Sequence, residues 1–442
     1  MEIFYLIIAV IAIIILTTKL KIHAFLALFI ISILYGIFAG MSYADIIISI
    51  NEGFGGTLGK IGLIIVLGVI IGAFLENTGG AFAIAEKVLK IIGSKRVPTA
   101  MGIIGYIVSI PVFADSGFML LHPLNKSLSK KAKISIAGPA IALGLGLMAS
   151  HTMVPPTPGP IAAAGILEAD LGLVIAFGFP TSIVALIVGI IFAKKYASKT
   201  YIEPEVDNAL SAEKEIKDSP GALKSSIPIL VPIVLIVLKS VLNPIRTGLD
   251  NGFIAVINFV GEPVISLLIG ILLCLLLPKK LNYDMLSSSG WVGKAIKDAA
   301  SIILITGAGG IFGKILQNSG IADILGQTLT EYNIGIFLPF VLAAAIKTAQ
   351  GSSTVALVTT ASIIMPMMSS LGFDTEIQKA LVVIVIGAGS AVVSHANDSF
   401  FWVVTQMSGM NVKTGYRLFS LGSGLLGLTG AITVFIFYTI LA

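Results

Sequence analysis

The stretch GAFLENTGGA (residues 72–81) returns, lightly altered, as GKILQNSGIA (residues 313–322). Glycine, leucine, asparagine, glycine and alanine keep register, and Gln317 and Ser319 answer Glu76 and Thr78. Two looser pairs follow in the same order. FADSGFMLL (113–121) is matched by TAQGSSTVAL (348–357), and ASHTMVPPTPG (149–159) by VSHANDSFFW (393–402). Three matches at nearly constant spacing indicate a duplicated chain. The loops around the apolar segment 97–124 hold eight Lys/Arg. Their counterparts, QNSGIADILGQTLTEYN and SSLGFDTEIQ, hold none and carry four acids. Basic loops stay on the cytoplasmic side, so equivalent loops lie on opposite faces, the pattern of an inverted-topology repeat.

A membrane is required because the chain is too apolar for water. Of 442 residues, 56% are hydrophobic and 12% charged, against about 25% charged in an ordinary soluble domain. Mean hydropathy is +1.02. Long apolar runs without short alternating segments indicate helices, not a barrel. The fold class is therefore all-α and polytopic, with about ten transmembrane helices near 2–19, 22–40, 59–76, 134–167, 171–193, 225–243, 252–277, 298–316, 379–408 and 418–441. Glu2 stands where a cleavable signal would be basic, so the first span is expected to be retained. The net charge of +5 resides in short loops and marks topology, not nucleic acid. Cys274 is the one cysteine, which excludes an internal disulfide and a cysteine-based metal site.

The expected organisation is a first pair of scaffold helices (1–58), repeat 1 (59–194), a cytoplasmic linker (195–224), a second scaffold group (225–297) and repeat 2 (298–442). Within repeat 1, residues 97–124 are apolar yet flanked by basic clusters of one side, so they enter and return as a re-entrant hairpin with its tip at FADSG. The equivalent hairpin of repeat 2 is expected near 334–366, its tip at AQGSST. Prolines 155, 156, 158 and 160 cannot keep a helical ladder, so the span at 134–167 is broken. SHANDS breaks the span at 379–408.

Interrupted helices of inverted repeats meet near the bilayer midplane and form the binding site there. Asp115 and Asp398 are acids at membrane depth, where burying charge costs roughly 2.5–3.5 kcal/mol or more. Each is a candidate proton carrier or a structural acceptor pinning its bend. His151 and His395 serve equally well as proton shuttles or as caps on unwound backbone. Ser352, Ser353 and Thr354 follow Gly351 at a helix start, where free N–H groups and hydroxyls suit a small carboxylate. Lys347 is placed either to pair with an anion or with Asp115 or Asp398, or to snorkel. His122 and His23 read as unremarkable. Two symmetric Ser-His copies argue for architecture, not for one nucleophile–base centre, so no enzyme is expected.

The blocks FADSGFMLLHPL, SHTMVPPTPGPIAAAGILEADLG, AQGSSTVALVTTASI and SHANDSFFWV together resemble the gluconate permease (gluconate:proton symporter, GntP) family, in the right order over most of the chain. The resemblance implies a multi-pass bacterial inner-membrane carrier of the ion-transporter superfamily, working as a homodimer with an elevator motion. It implies import of gluconate or a related sugar acid by proton symport, with no cofactor beyond the proton gradient. A sodium-coupled carboxylate carrier, or a D-serine-type amino-acid symporter, is the alternative on the same fold. By the same resemblance, Asp115 takes the place of the family's hairpin acid, Pro155, Pro156, Pro158 and Gly159 match its broken-helix motif, Gln350, Gly351 and Ser352 its second hairpin, and His395, Asn397 and Asp398 its last motif. With the residues read above, substrate contacts are expected from Ser116, Gly117, Thr157, Gly159, Gln350, Gly351, Ser352, Ser353, Thr354, Asn397 and Ser399, and proton coupling from Asp115, Asp398, His151 and His395. Thr157 stands where the family commonly has histidine.

Overall fold

The computed structural model describes residues 2–93, 96–204, 219–242, 251–320 and 335–441. They are helical nearly throughout, and no strand occurs among them. The first half holds α1 (Glu2–Thr18), α2 (Ala24–Phe38), α3 (Tyr43–Asn77), α4 (Gly80–Ile92), α5 (Val97–Val108), α6 (Ala114–Lys131), α7 (Ala137–Met153), α8 (Pro158–Ile166) and α9 (Leu171–Lys195). After it come α10 (Ala222–Leu242), α11 (Asn251–Val260) and α12 (Pro263–Cys274). The second half holds α13 (Trp291–Asn318), α14 (Phe337–Gln350), α15 (Ser353–Ile364), α16 (Glu376–Ala391), α17 (Ser399–Met407), α18 (Val412–Gly415) and α19 (Leu421–Leu441).

The repeated phrase is the same structure twice. Gly79 (φ 72°) and Gly320 (φ 78°) end α3 and α13 in the left-handed region. At these ends the Thr78 N–H donates to the Phe74 carbonyl and the Gly79 N–H to that of Glu76, as the Ser319 N–H does to Ile315 and the Gly320 N–H to Gln317. These two equivalent helices run antiparallel. At one end Asn318 Nδ2 donates to Ser49 Oγ (2.9 Å). At the other, Phe74 and Trp291 meet edge-on with centroids 5.4 Å apart. Between them Gly53 and Gly310 cross so closely that a Cβ on Gly53 would sit 2.6 Å from the Gly310 carbonyl oxygen. Antiparallel equivalents are what an inverted repeat demands.

Each half then contains a helix pair and a broken helix. In the first pair the chain turns over residues 109–113, where the Ser109 hydroxyl donates to the Val112 carbonyl (3.1 Å). Asp115, Ser116 and Gly117 thus lie in the first turn of α6 and not at the tip expected for them. In the second pair Gly351 (φ 92°) ends α14 and Ser352 caps α15. The helix breaks fall at residues 154–157 and 392–398. The two Ser-His dipeptides are not structural equivalents. Ser150 and His151 lie in the last turn of α7, because the helix holds until the prolines 155 and 156 end it. Ser394 and His395 lie in the unwound segment after Val393, whose φ of 49° is a strained value for a β-branched residue.

Among the described residues, six helical runs are long and apolar enough to cross a bilayer: Tyr43–Asn77, Ala137–Ile166, Leu171–Lys199, Ala222–Leu242, Tyr283–Asn318 and Val412–Leu441. A seventh forms if Ile254–Val260 and Pro263–Cys274, bent by 68°, are one span. Helices of the length of α1 and α2 reach roughly 25 Å or less, short of a hydrocarbon core of about 30 Å. α16 and α17 are separated by too long a break to make one run. Residues 205–218 of the expected linker, the start of the second hairpin at 334 and the acids Asp323 and Glu331 lie outside the described residues.

Apolar side chains also face outward in helical stripes: Leu26, Ile30 and Leu34 on α2, Ile183, Ile187 and Ile191 on α9, Leu230, Val234 and Leu238 on α10. Such stripes are lipid-facing surface. By contrast α7 and α16 are buried on almost every side and form the centre of the molecule.

Candidate functional site

The unwound SHANDS segment answers a local problem at the end of α14. A helix leaves its last carbonyls without partners, and the half-exposed end of this one meets the SHANDS segment. His395 donates from Nε2 to the Thr348 carbonyl (2.7 Å). Asn397 donates from Nδ2 to the Thr348 and Ala349 carbonyls (2.9 and 3.0 Å). Lys347, fully buried, donates from Nζ to the Gly351 carbonyl and to Asp398 Oδ2, the latter at 2.7 Å. Asp398 in turn caps α17, its Oδ1 accepting from the Phe400 N–H (3.0 Å) and its Oδ2 from the Ser394 hydroxyl. Gly351 fits against this segment only because it lacks a side chain: a Cβ there would lie 2.2 Å from the Asn397 carbonyl oxygen.

A cavity of about 250 Å³ opens beside this knot, the liquid volume of roughly eight waters. Three helices start on its wall. Ala114 and Asp115 open α6, Ser353 and Thr354 open α15, and Ser399 and Phe400 open α17. The first N–H groups of a helix lack intrahelical acceptors and carry the positive end of its dipole. Three such ends line one cavity; Ser352 Oγ takes the Val355 N–H of α15 and Asp398 Oδ1 the Phe400 N–H of α17, and the remaining free N–H groups suit an anion. Hydroxyls of Ser352, Ser353, Thr354, Ser399 and Thr152, with the Gln350 and Asn397 amides, give the same wall polar groups suited to a polyhydroxy ligand. The charges of Lys347 and Asp398 cancel each other. Asp115 is the acid left over. Its Oδ1 is buried with no hydrogen-bond partner, and its carboxyl faces the Ser399 hydroxyl.

Of the residues expected at the site, the cavity brings together Asp115, His151, Gln350, Gly351, Ser352, Ser353, Thr354, Asn397, Asp398 and Ser399. The others lie elsewhere. Gly117 packs against Leu147, where a Cβ would meet the Leu147 side chain at 2.7 Å, and Ser116 does not line the cavity. Thr157 lines a small neighbouring cavity with Pro156, Pro158 and His151, and its hydroxyl donates to the Val154 carbonyl (2.7 Å). Gly159 faces Leu357 on α15. His395 is engaged with the end of α14 and stands off the wall. Met148, Ala114, Thr152 and Phe400 complete the lining. Thr152 follows His151 and Phe400 follows Ser399 in sequence, but nothing in those residue types marks them.

A second polar cavity, of about 430 Å³, lies where α3 and α13 face the far ends of α8, α15 and α16. It holds Lys60, Lys314 and Lys379 with Glu52 and Glu168. Lys60 Nζ lies 2.6 Å from Glu168 Oε1, and that hydrogen bond holds the Glu168 carboxyl below its ordinary value.

Comparison with known proteins gives one answer. A 35% identical relative, an uncharacterized permease of Haemophilus influenzae, aligns over 92% of this chain and 86% of its own. The gluconate permease of Pseudomonas aeruginosa is 31% identical over 98% of this chain and 97% of its own. Among solved structures, the YdaH transporter of Alcanivorax borkumensis, described as having an unusual topology, matches with a TM-score of 0.58 at 14% identity. That match covers 88% of this chain and 87% of the other, and it is a likeness of fold. The model of the GntP family permeases matches residues 1–440. The chain is a multi-pass protein of the cell membrane and belongs to the GntP permease family.

Proposed function

We propose that the protein imports gluconate or a closely related sugar acid by proton symport. The convergence of three helix N-termini on a hydroxyl-rich cavity with one leftover acid carries this reading. The substrate carboxylate takes the N–H groups at the starts of α6, α15 and α17, and the sugar hydroxyls take the Ser, Thr, Gln and Asn side chains. The gluconate permeases among the relatives support the substrate class.

Coupling follows from charge. Two unit charges 4 Å apart repel by about 4 kcal/mol at an effective dielectric of 20, several times a typical net hydrogen bond of about 1 kcal/mol. An ionised Asp115 and a substrate carboxylate therefore exclude each other from the cavity. A protonated Asp115 admits the anion, so substrate and proton travel together.

Alternating access is an elevator motion in this reading. The frame comprises α1, α2, α10–α12 and the crossed pair α3 and α13. The moving unit comprises α5–α9 and α14–α19. Matching glycines line the frame's inner face, Gly68 and Gly72 on α3, Gly309 and Gly313 on α13. They lie against Pro156, Pro111, Val358 and Ser362 of the moving unit. Small residues let helices approach closely with no side chains to interlock.

The test is uptake of labelled gluconate into proteoliposomes with an alkaline interior in sodium-free buffer. Accumulation that collapses with a protonophore is expected. Accumulation that needs sodium, or none for gluconate and its sugar-acid analogues, overturns the reading.

A further inference from the structure

α6 carries polar groups that the substrate cavity does not use. His122, Asn125 and Ser129 follow Asp115 along it, and at 100° per residue the four fall within about 80° of one another. They mark out one stripe leading away from the cavity, from Asp115 past His122, about 10 Å further along the axis, to the last turn. His122, Asn125 and Ser129 are buried. Both ring nitrogens of His122, both amide atoms of Asn125 and the Ser129 hydroxyl have no hydrogen-bond partner among the described residues, like Asp115 Oδ1. The Met407 carbonyl faces the His122 ring without closing a hydrogen bond, and the adjoining Ser408 hydroxyl is also buried and unpartnered.

Buried polar groups are almost always paired, with protein or with water. A run of them spaced at helical turns is polar enough to hold water between them. The equivalent helix of the second half differs. α15 offers Thr359, Thr360 and Ser362 but no titratable side chain. Symmetry of the fold therefore does not explain the α6 stripe. Among the described residues, Lys126 is the cation that acts on His122. Of the helices packed on α6, α17 has no titratable group. α5 has Tyr106, whose hydroxyl is held by Ser182 (2.7 Å), and α7 has His151, which lines the cavity.

We infer that His122, Asn125 and Ser129 form a water-filled proton route along α6. It connects the Asp115 carboxyl with the membrane face at Lys130 and Lys131, the cytoplasmic face by its basic residues. Asp115 gives up its proton along this stripe after the substrate has left, and His122 relays it with its two ring nitrogens, one accepting as the other releases. The inference rests on the reading of Asp115 as proton carrier.

Two assays separate the possibilities: exchange of labelled for unlabelled gluconate at equal pH on both sides, which needs no proton release, and net uptake driven by a pH gradient. They are run on the wild type, His122→Leu and Asn125→Leu in proteoliposomes. The expected result is near-normal exchange in both variants with net uptake slowed at least about tenfold. Net uptake at the wild-type rate overturns the route, and so does loss of exchange together with uptake, which marks a structural role. If His122→Leu does not assemble, Asn125→Leu decides alone. A wild type that performs neither assay overturns the carrier reading instead.

Discussion

Lys347 and Asp398 form a buried ion pair, Nζ to Oδ2 at 2.7 Å. It fastens the tip of the second helix pair to the start of α17. The lysine sits in the last turn of α14 and also holds the Gly351 carbonyl. The aspartate is at once the cap of α17 and an acceptor for Ser394. Two interruptions of the chain, each needing partners for its backbone, thereby satisfy each other next to the cavity.

Removing one member of a buried pair leaves an uncompensated charge and costs about 3–5 kcal/mol. Lys347→Met and Asp398→Asn are each expected to lower the thermal unfolding temperature of the purified protein strongly and to abolish uptake. The double variant is expected to be more stable than the sum of the two losses predicts. Strict additivity in thermal unfolding would mean that the pair contributes nothing as a pair.

Gly351→Ala tests the packing of the hairpin tip. Its φ of 92° and the Asn397 carbonyl at 2.2 Å from any Cβ leave no room for a methyl group. Gly372 has a similar φ of 74° but open space around it. Gly372→Ala should therefore cost only the backbone term, about 1 kcal/mol, with uptake preserved. Gly351→Ala should lose gluconate binding, read by thermal shift with and without ligand. Equal behaviour of the two variants would refute the close approach.

The membrane class, the repeat and both unwound segments were legible because each leaves a local mark: apolar runs, a repeated phrase around Gly79 and Gly320, prolines 155 and 156, polar SHANDS in an apolar span. The partnership of Lys347 with Asp398 was only one option among several, since two residues far apart in sequence carry no sign of which meets which. The tip of the first pair lies a few residues earlier than FADSG suggests. Asp115 and Gly117 look like turn residues, but Pro111 and the Ser109 hydroxyl set the turn earlier and leave Asp115 to open a helix. Ser150-His151 and Ser394-His395 match as letters and differ in conformation, because prolines break the first span after its histidine while the second unwinds before its own. The stripe on α6 leaves no mark in the sequence, because His122 alone, without its buried neighbours, has no distinguishing pattern.

Asp115→Asn removes the proton site while keeping the shape of the side chain. Gluconate then binds without waiting for a proton. Exchange at equal pH is expected to persist and to lose its pH dependence, whereas a pH gradient no longer drives accumulation. Accumulation by Asp115→Asn at the wild-type level would move the proton to another group.

The elevator motion predicts that joining the frame to the moving unit stops transport. Gly165 on the moving α8 lies against Ile61 on α3, where a Cβ would come within 2.3 Å of the Ile61 side chain. Replacing both by cysteine removes the bulk of Ile61 and brings two Cβ atoms to a spacing suited to a disulfide. Cys274 is buried on α12 and does not compete. Oxidised Ile61→Cys/Gly165→Cys protein is expected to bind gluconate by thermal shift but to lose both exchange and net uptake, and reduction should restore them. Each single cysteine variant serves as the control for the substitutions themselves. Full transport by quantitatively cross-linked protein would show that α8 does not slide past α3, and the division into frame and moving unit would have to be redrawn.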